Sequence, residues 1–211
     1  MKPQIDYSVY LVTDASWLRG RTLADCVRQA LEGGVTLVQY RSKHNDGGPM
    51  YAEAIELKAV CDSCGVPLII NDRVDLAMAI GAAGVHLGQD DLPCAVARKL
   101  MGNDYVIGVS AHNPKEALQA IADGADYLGC GAVFGSATKQ DVQELGLANL
   151  RAIRQVSKVP MVGIGGVTAA NYEQVLQTGA DGAALISGIL AADDITARVR
   201  QIAAIRDLYR K

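Results

Sequence analysis

The groups in this 211-residue chain best suited to chemistry are polar side chains placed just past short apolar runs. Pro67-Leu-Ile-Ile-Asn-Asp72 and Gly84-Val-His-Leu-Gly-Gln-Asp-Asp91 each end in a carboxylate. Asn71 and Asp72 are expected outside the buried strand that precedes them, because a strand interior would strip them of water. If the two runs are parallel neighbours, ~4.8 Å apart, Asp72 and Asp91 lie on adjacent loops at one end of a sheet. Two carboxylates there, joined by water or phosphate oxygens, suit a hard cation such as Mg²⁺.

A second group lies on Leu37 to Lys43. Period-two alternation sets Gln39, Arg41 and Lys43 on one face and Val38 and Tyr40 on the other. If Val38 and Tyr40 pack against helices, an amide and two cations converge on the opposite side. Arginine offers a planar fork of donors and lysine a mobile charge, so the set suits an anion or a polar heterocycle. An ordinary strand end with solvated charges is the alternative. Gly163-Ile-Gly-Gly166 and Ile186-Ser-Gly188 let backbone N–H groups approach a phosphate, although tight turns also need glycine. The segment from Phe134 to Asp141 brings two hydroxyls, Ser136 and Thr138, together with Lys139, as a lid over a phosphorylated ligand requires. Ser110 adds a hydroxyl directly after another apolar run.

His86, flanked by Val85 and Leu87, reads as a structural imidazole, while His112 precedes a helix cap and His44 falls in a loop. None has a nucleophile beside it, so acyl transfer finds no support. Cys26, Cys61, Cys64, Cys94 and Cys130 are odd in number, which suits reduced thiols better than a disulfide framework. Cys61-Asp-Ser-Cys64 has the spacing of a redox or metal pair, but it ends a helix and has no second pair to complete a zinc site.

These groups need a scaffold that brings strand ends together. Short apolar runs at Val9–Val12, Leu37–Tyr40, Leu68–Ile70, Val85–Leu87, Val106–Val109, Tyr127–Cys130, Met161–Gly163 and Ala183–Ile186 alternate with helices of roughly ten residues. Arg73 to Ala82 reads as one of those helices, whereas Ser42–Pro49 and Phe134–Leu147 read as irregular. Eight βα units favour an α/β fold built as a single-domain (β/α)₈ TIM barrel over residues 1–211, with chemistry at the C-terminal face of its strands. Glu32-Gly-Gly-Val35, Gly81-Ala-Ala-Gly-Val85, Asp123-Gly-Ala-Asp126 and Thr178-Gly-Ala-Asp-Gly182 resemble one another, each offering a glycine to stop a helix. Asn113-Pro114 with Glu116 marks a capped helix start, and Asp193 or Asp194 another.

A formal charge of −3 with interspersed signs offers no basic stripe for nucleic acid. No run approaches the ~18 apolar residues of a membrane span, and the start lacks a signal-peptide core. The expectation is a cytoplasmic protein acting on small molecules. Oligomeric state stays open, a homo-oligomer included.

Taken in order, Tyr10-Leu-Val-Thr-Asp14, Gln39-x-Arg41-x-Lys43, Ile70-Asn-Asp72, Gly84-Val-His-Leu-Gly-Gln-x-Asp91, Gly108-Val-Ser-Ala-His112, Thr138-Lys139 and Val162-Gly-Ile-Gly-Gly166 resemble the thiamine phosphate synthase family. The resemblance runs as far as Ser187-Gly188. It implies a transferase that condenses hydroxymethylpyrimidine diphosphate with hydroxyethylthiazole phosphate, giving thiamine phosphate and diphosphate with Mg²⁺ as cofactor. By that resemblance Gln39, Arg41, Lys43, Asn71, Ser110 and Lys139 hold the pyrimidine diphosphate, and Arg41, Lys43, Ser110 and Lys139 act in catalysis. Asp72 and Asp91 hold the metal, while Ser136, Ala137, Thr138, Gly166, Ile186 and Ser187 contact the thiazole phosphate. The chain departs from the family at Gly135, where proline is common, and at Ser136, which keeps a hydroxyl in place of threonine. Tyr40 stands where a smaller apolar residue is common. The related thiazole tautomerases share the barrel without the diphosphate apparatus, and a non-catalytic thiamine-phosphate-binding module would use the same binding groups. Arg41, Lys43, Asp72, Asp91 and Lys139 favour the synthase.

Overall fold

The computed structural model describes residues 2–43, 46–135 and 146–209. Eight parallel strands close into a barrel in sequence order: β1 (Val9–Val12), β2 (Leu37–Tyr40), β3 (Leu68–Asn71), β4 (Gly84–Leu87), β5 (Val106–Ala111), β6 (Tyr127–Gly131), β7 (Met161–Ile164) and β8 (Gly182–Leu185). The helices are α1 (Leu23–Gly33), α2 (Gly47–Ser63), α3 (Val74–Ala79), α4 (Cys94–Met101), α5 (Pro114–Ala122), α6 (Gly146–Val156), α7 (Tyr172–Leu176), the short α8 (Ser187–Leu190) and α9 (Ile195–Tyr209). The expected (β/α)₈ TIM barrel is therefore the fold.

Alternation along each strand divides the apolar side chains between two cores. Val9, Leu11, Val38, Tyr40, Val85 and Leu87 pack outward against the helices in the larger one. Tyr10, Val12, Leu37, Ile69, Tyr127 and Val162 fill the inside of the barrel. Tyr40 thus turns away from the barrel axis as expected, and its hydroxyl donates to Glu53 on α2 at 2.6 Å.

Several boundaries differ from the sequence expectation for identifiable reasons. Asn71 belongs to β3, half-buried beside β4, because its amide reaches Asp72 and the chain can keep pairing through it. Ser110 lies within β5 rather than after it. Ile186 is not part of β8. Its backbone turns into α8, where its carbonyl accepts from Ile189 and Leu190. Helix α2 begins at Gly47, inside the stretch read as irregular. Pro49 sits in its first turn, where a missing N–H costs nothing. Helix α3 is shorter than the 73–82 expected.

The glycine stops follow the expected pattern. Gly34, Gly81, Gly124 and Gly179 all have positive φ, a backbone state costly for other residues. Asn113 caps α5 by accepting from the Glu116 N–H at 3.0 Å, and Asp194 accepts from the Ala197 N–H at 2.8 Å.

Two ion pairs tie strand entries together at the opposite end from the carboxylate loops. Asp126, just before β6, accepts from the Ile107 N–H and from Arg98 of α4. Asp181, just before β8, accepts from the Met161 N–H and from Arg154 of α6. Each aspartate also donates its own N–H back, to Ile107 and Met161 respectively. The two resembling glycine-alanine-aspartate segments thus perform the same task two βα units apart.

Candidate active site

A cavity of about 480 Å³ opens at the C-terminal ends of the strands. Its wall includes Gln39, Arg41, Lys43, Asn71, Asp72, Asp91, Ser110, Gly166, Ile186 and Ser187. Ten of the sequence-derived site residues therefore meet in one space. Ser136, Ala137, Thr138 and Lys139 lie outside the described residues, as does most of the segment read as a lid.

β1 and β2 together fix the first cation. Thr13, after β1, accepts from the Arg41 N–H at 2.9 Å, and Asp14 accepts from the guanidinium at 2.6 Å. Both side chains of that pair are only 15% exposed, so the arginine fork is held firmly at the cavity edge. Burial opposes ionisation of Asp14, but hydrogen bonds from Ser16 and the Arg41 charge outweigh it and hold its carboxyl below the ordinary range. Nothing in the spacing of Asp14 and Arg41 marked them as partners, because 27 residues separate them.

Lys43 is more exposed, at 47%, and donates to Asp72 at 2.6 Å. Asp72 adopts a φ of 63°, a left-handed conformation that aspartate tolerates better than most residues. The Asn71 amide donates to its other oxygen at 2.6 Å, while its own N–H donates to the His86 carbonyl at 2.8 Å. Asp91 reaches the same place from the loop after β4, where its carboxylate accepts from the Gly88 N–H at 2.6 Å. Burial raises the Asp91 carboxyl, and the Asp72 carboxylate beside it raises it further. Adjacent strands thus press two carboxylates together, an arrangement that favours positive charge between them. Among the described residues no third aspartate, glutamate, histidine or cysteine joins the pair.

Inside the barrel, a chain of hydrogen bonds was not foreseen. The Gln39 amide donates to the Tyr10 hydroxyl at 2.6 Å, and Tyr10 meets the Tyr127 hydroxyl at 2.8 Å. Tyr127 in turn meets His86 Nδ1 at 2.9 Å, and His86 Nε2 meets Ser110 Oγ at 3.1 Å. His86 is thus a satisfied imidazole, as expected, with both ring nitrogens partnered. It faces the barrel axis and lines the cavity. The available signal was alternation, which sets His86 opposite Val85 and Leu87.

Glycine backbone forms part of the remaining wall. Gly165 and Gly166 have positive φ, and a Cβ on Gly166 would stand 2.6 Å from the Gly135 carbonyl. On the far side, His112 donates its N–H to Glu116 at 2.8 Å and its ring meets the same carboxylate. Burial works against Glu116, but these bonds hold its carboxyl below the ordinary range.

A family model described as thiamine monophosphate synthase matches residues 9–189, which includes all eight strands and every wall residue named above. The chain belongs to the thiamine monophosphate synthase family. A protein named thiamine-phosphate synthase from Chloroflexus aurantiacus is 52% identical over 202 residues, covering 95% of this chain and 93% of that one. One of the same name from Clostridium novyi is 50% identical, covering 95% and 99%. The solved structure of thiamine phosphate pyrophosphorylase from Pyrococcus furiosus superimposes with a TM-score of 0.91 at 36% identity, covering 98% of each chain. The resemblance in the motifs is thus carried by the whole thiamine monophosphate synthase barrel.

Proposed function

We propose that this protein catalyses the condensation of hydroxymethylpyrimidine diphosphate with hydroxyethylthiazole phosphate to thiamine phosphate and diphosphate. The observation that carries the proposal is the convergence of Gln39, Arg41, Lys43, Asn71, Asp72, Asp91 and Ser110 on one cavity, in a chain whose relatives bear the synthase name. An isomerase would have no use for so many groups suited to a diphosphate, whereas a binding module would use the same groups and is separated from the synthase by turnover.

The donor set fits Mg²⁺. Asp72 and Asp91 are hard oxygen donors, their mutual repulsion is incompletely offset by Lys43, and Mg²⁺ is commonly held by one or two carboxylates plus substrate phosphates. When bound, the ion would neutralise charge on the diphosphate leaving group. Arg41, braced by Asp14, would grip that diphosphate through two parallel N–H bonds, and Lys43 would follow it from Asp72 as charge develops. Ser110 would donate to a diphosphate oxygen, and Gln39 and Asn71 would orient the pyrimidine. With the leaving group so stabilised, the pyrimidine methylene carbon would separate as a resonance-stabilised cation and be captured by the thiazole nitrogen. Gly166, Ile186 and Ser187 would hold the thiazole phosphate against backbone N–H groups. By the family resemblance Lys139 would contact the diphosphate, and Ser136, Ala137 and Thr138 the thiazole phosphate. The reading makes residues 1–211 one catalytic unit working in the cytoplasm. Among the described residues no helix is long and apolar enough to cross a membrane.

Diphosphate release from purified protein, measured with both substrates and Mg²⁺ and with each omitted, tests the proposal. Release that needs all three and yields thiamine phosphate is expected. Folded protein that binds the substrates without product would replace the reading with a binding module, and thiazole isomerisation would replace it with a tautomerase.

A further inference from the structure

Two glycines leave room for the hydrogen-bond chain inside the barrel. A Cβ on Gly108 would stand 2.1 Å from Tyr127 Cζ, and one on Gly129 would stand 2.8 Å from His86 Cε1. Tyr127 and Tyr10 are buried, and their rings meet edge to face with centroids 6.1 Å apart. Burial raises both phenols far above physiological pH, so each hydroxyl keeps one proton and can donate one bond. A hydroxyl oxygen can also accept two bonds, so the direction of the chain is set by requiring that every buried proton find an acceptor. Gln39 donates to Tyr10, which leaves the Tyr10 proton for Tyr127. The Tyr127 proton then goes to His86 Nδ1, and the remaining imidazole proton, on Nε2, goes to Ser110. With its oxygen accepting from His86, Ser110 has its own proton free for the cavity.

We infer that His86 is a positioning residue: the chain from Gln39 through Tyr10 and Tyr127 fixes it as the neutral Nε2–H tautomer, and it turns the Ser110 hydroxyl into a donor aimed at the anionic substrate. The opposite tautomer would take the Ser110 proton for itself and present only a lone pair to a diphosphate. A barrel with a disordered chain would therefore bind its anion but stabilise the departing charge less well. This inference rests on the synthase reading for its catalytic consequence, but its structural half stands independently.

The test uses the full-length protein and variants at His86, Ser110 and Tyr127. A donor aimed at developing charge is worth about 10²–10³ in kcat, so His86→Leu should lower kcat about tenfold or more, with the KM for thiazole phosphate changed less than about twofold. His86→Gln, whose amide N–H can replace Nε2–H, should recover most of that loss. On a Ser110→Ala background, His86→Leu should cost less than about twofold further, because the group it orients is gone. The chain has three histidines, so ¹⁵N spectra compared with the His86→Gln variant identify the His86 ring. They should show Nδ1 bare and Nε2 protonated in the parent protein, and a mixture in Tyr127→Phe. Affinity for inorganic diphosphate with Mg²⁺ should fall in Ser110→Ala and His86→Leu alike. An Nδ1–H tautomer in the parent, equal loss in His86→Gln and His86→Leu, or a full further loss on the Ser110→Ala background would overturn the inference. If the parent protein makes no thiamine phosphate, the synthase reading fails, and the tautomer and diphosphate affinity still decide whether His86 orients Ser110.

Discussion

Substituting Gly108→Ala is the sharpest perturbation of the barrel interior. The added carbon would lie 2.1, 2.2 and 2.5 Å from Cζ, Cε1 and the hydroxyl of Tyr127, where carbon atoms prefer about 3.5–4.0 Å. The ring has little space for retreat, with Tyr7 packed at a centroid distance of 4.8 Å and His86 at 5.4 Å. Overpacking of this kind costs about 1–3 kcal/mol. A shifted ring also leaves a buried hydroxyl unpaired, a further cost of about 1–3 kcal/mol. Near the middle of both ranges the loss is about 4 kcal/mol, which in a chain of this size lowers Tm by about 8–16 °C. Thermal unfolding followed by circular dichroism measures it, with turnover as a second reading. Adding Tyr127→Leu should restore much of the stability, since the two changes share one space, without restoring the bond to His86. A Gly108→Ala protein melting within about 2 °C of the parent would refute the reasoning, because the ring must then have somewhere to go.

Asp72→Asn keeps a residue that accepts the left-handed backbone but removes one carboxylate, so turnover should fall about a hundredfold with little change in Tm. Near-parental turnover across a Mg²⁺ titration would remove Asp72 from the metal site. The Asp14 carboxyl lies below its ordinary value in the folded protein, so its contribution to stability is complete above an unfolded pKa of about 3.9 and is lost as pH falls through the lower folded value. Asp14→Asn should accordingly be less stable than the parent at neutral pH, with the difference closing on acidification. Urea unfolding from pH 7 downward measures that gap, and a gap that widens in acid would contradict the Arg41 pairing. Burial pushes the Cys61 and Cys130 thiols up to about 12 and that of Cys94 to about 11, whereas Cys64 is exposed. Iodoacetamide under native conditions should label Cys64 alone, as peptide mapping would reveal. Rapid labelling of Cys61 would mean that the end of α2 opens.

The barrel was legible because each of its eight apolar runs is short, β-prone and followed by a helical stretch, and α1, α3, α5 and α7 end at resembling glycine stops. Gln39, Arg41 and Lys43 could be placed from β2 alone, since alternation and the outward packing of Tyr40 leave them one direction. Asp72 and Asp91 were legible through their positions after adjacent strands. The cavity-facing side of His86 could be read from alternation, but its partners could not, because they depend on Tyr127 at 41 residues' distance and on the absence of a side chain at Gly108 and Gly129. Tyr10 and Tyr127 lie within apolar runs, and only their hydroxyl geometry separates them from ordinary core aromatics. Asp14 was visible within a motif, yet its task emerges only when β1 and β2 lie side by side. Strand ends moved where side chains could keep the backbone paired, as at Asn71, or where the chain turned early, as at Ile186.

The paired clamps of Arg98 with Asp126 and Arg154 with Asp181 have a mechanical consequence for how the chain can be divided. One fastens α4 and β5 to the start of β6, and the other α6 and β7 to the start of β8, both at the end of the barrel away from the cavity. A polypeptide interrupted at Gly135 would leave both fastenings whole, one in each fragment. Only the β6 to β7 and β8 to β1 seams would have to rejoin. The two pieces, expressed together, should therefore find each other as pre-registered sectors of a ring, with the substrate end free to assemble last.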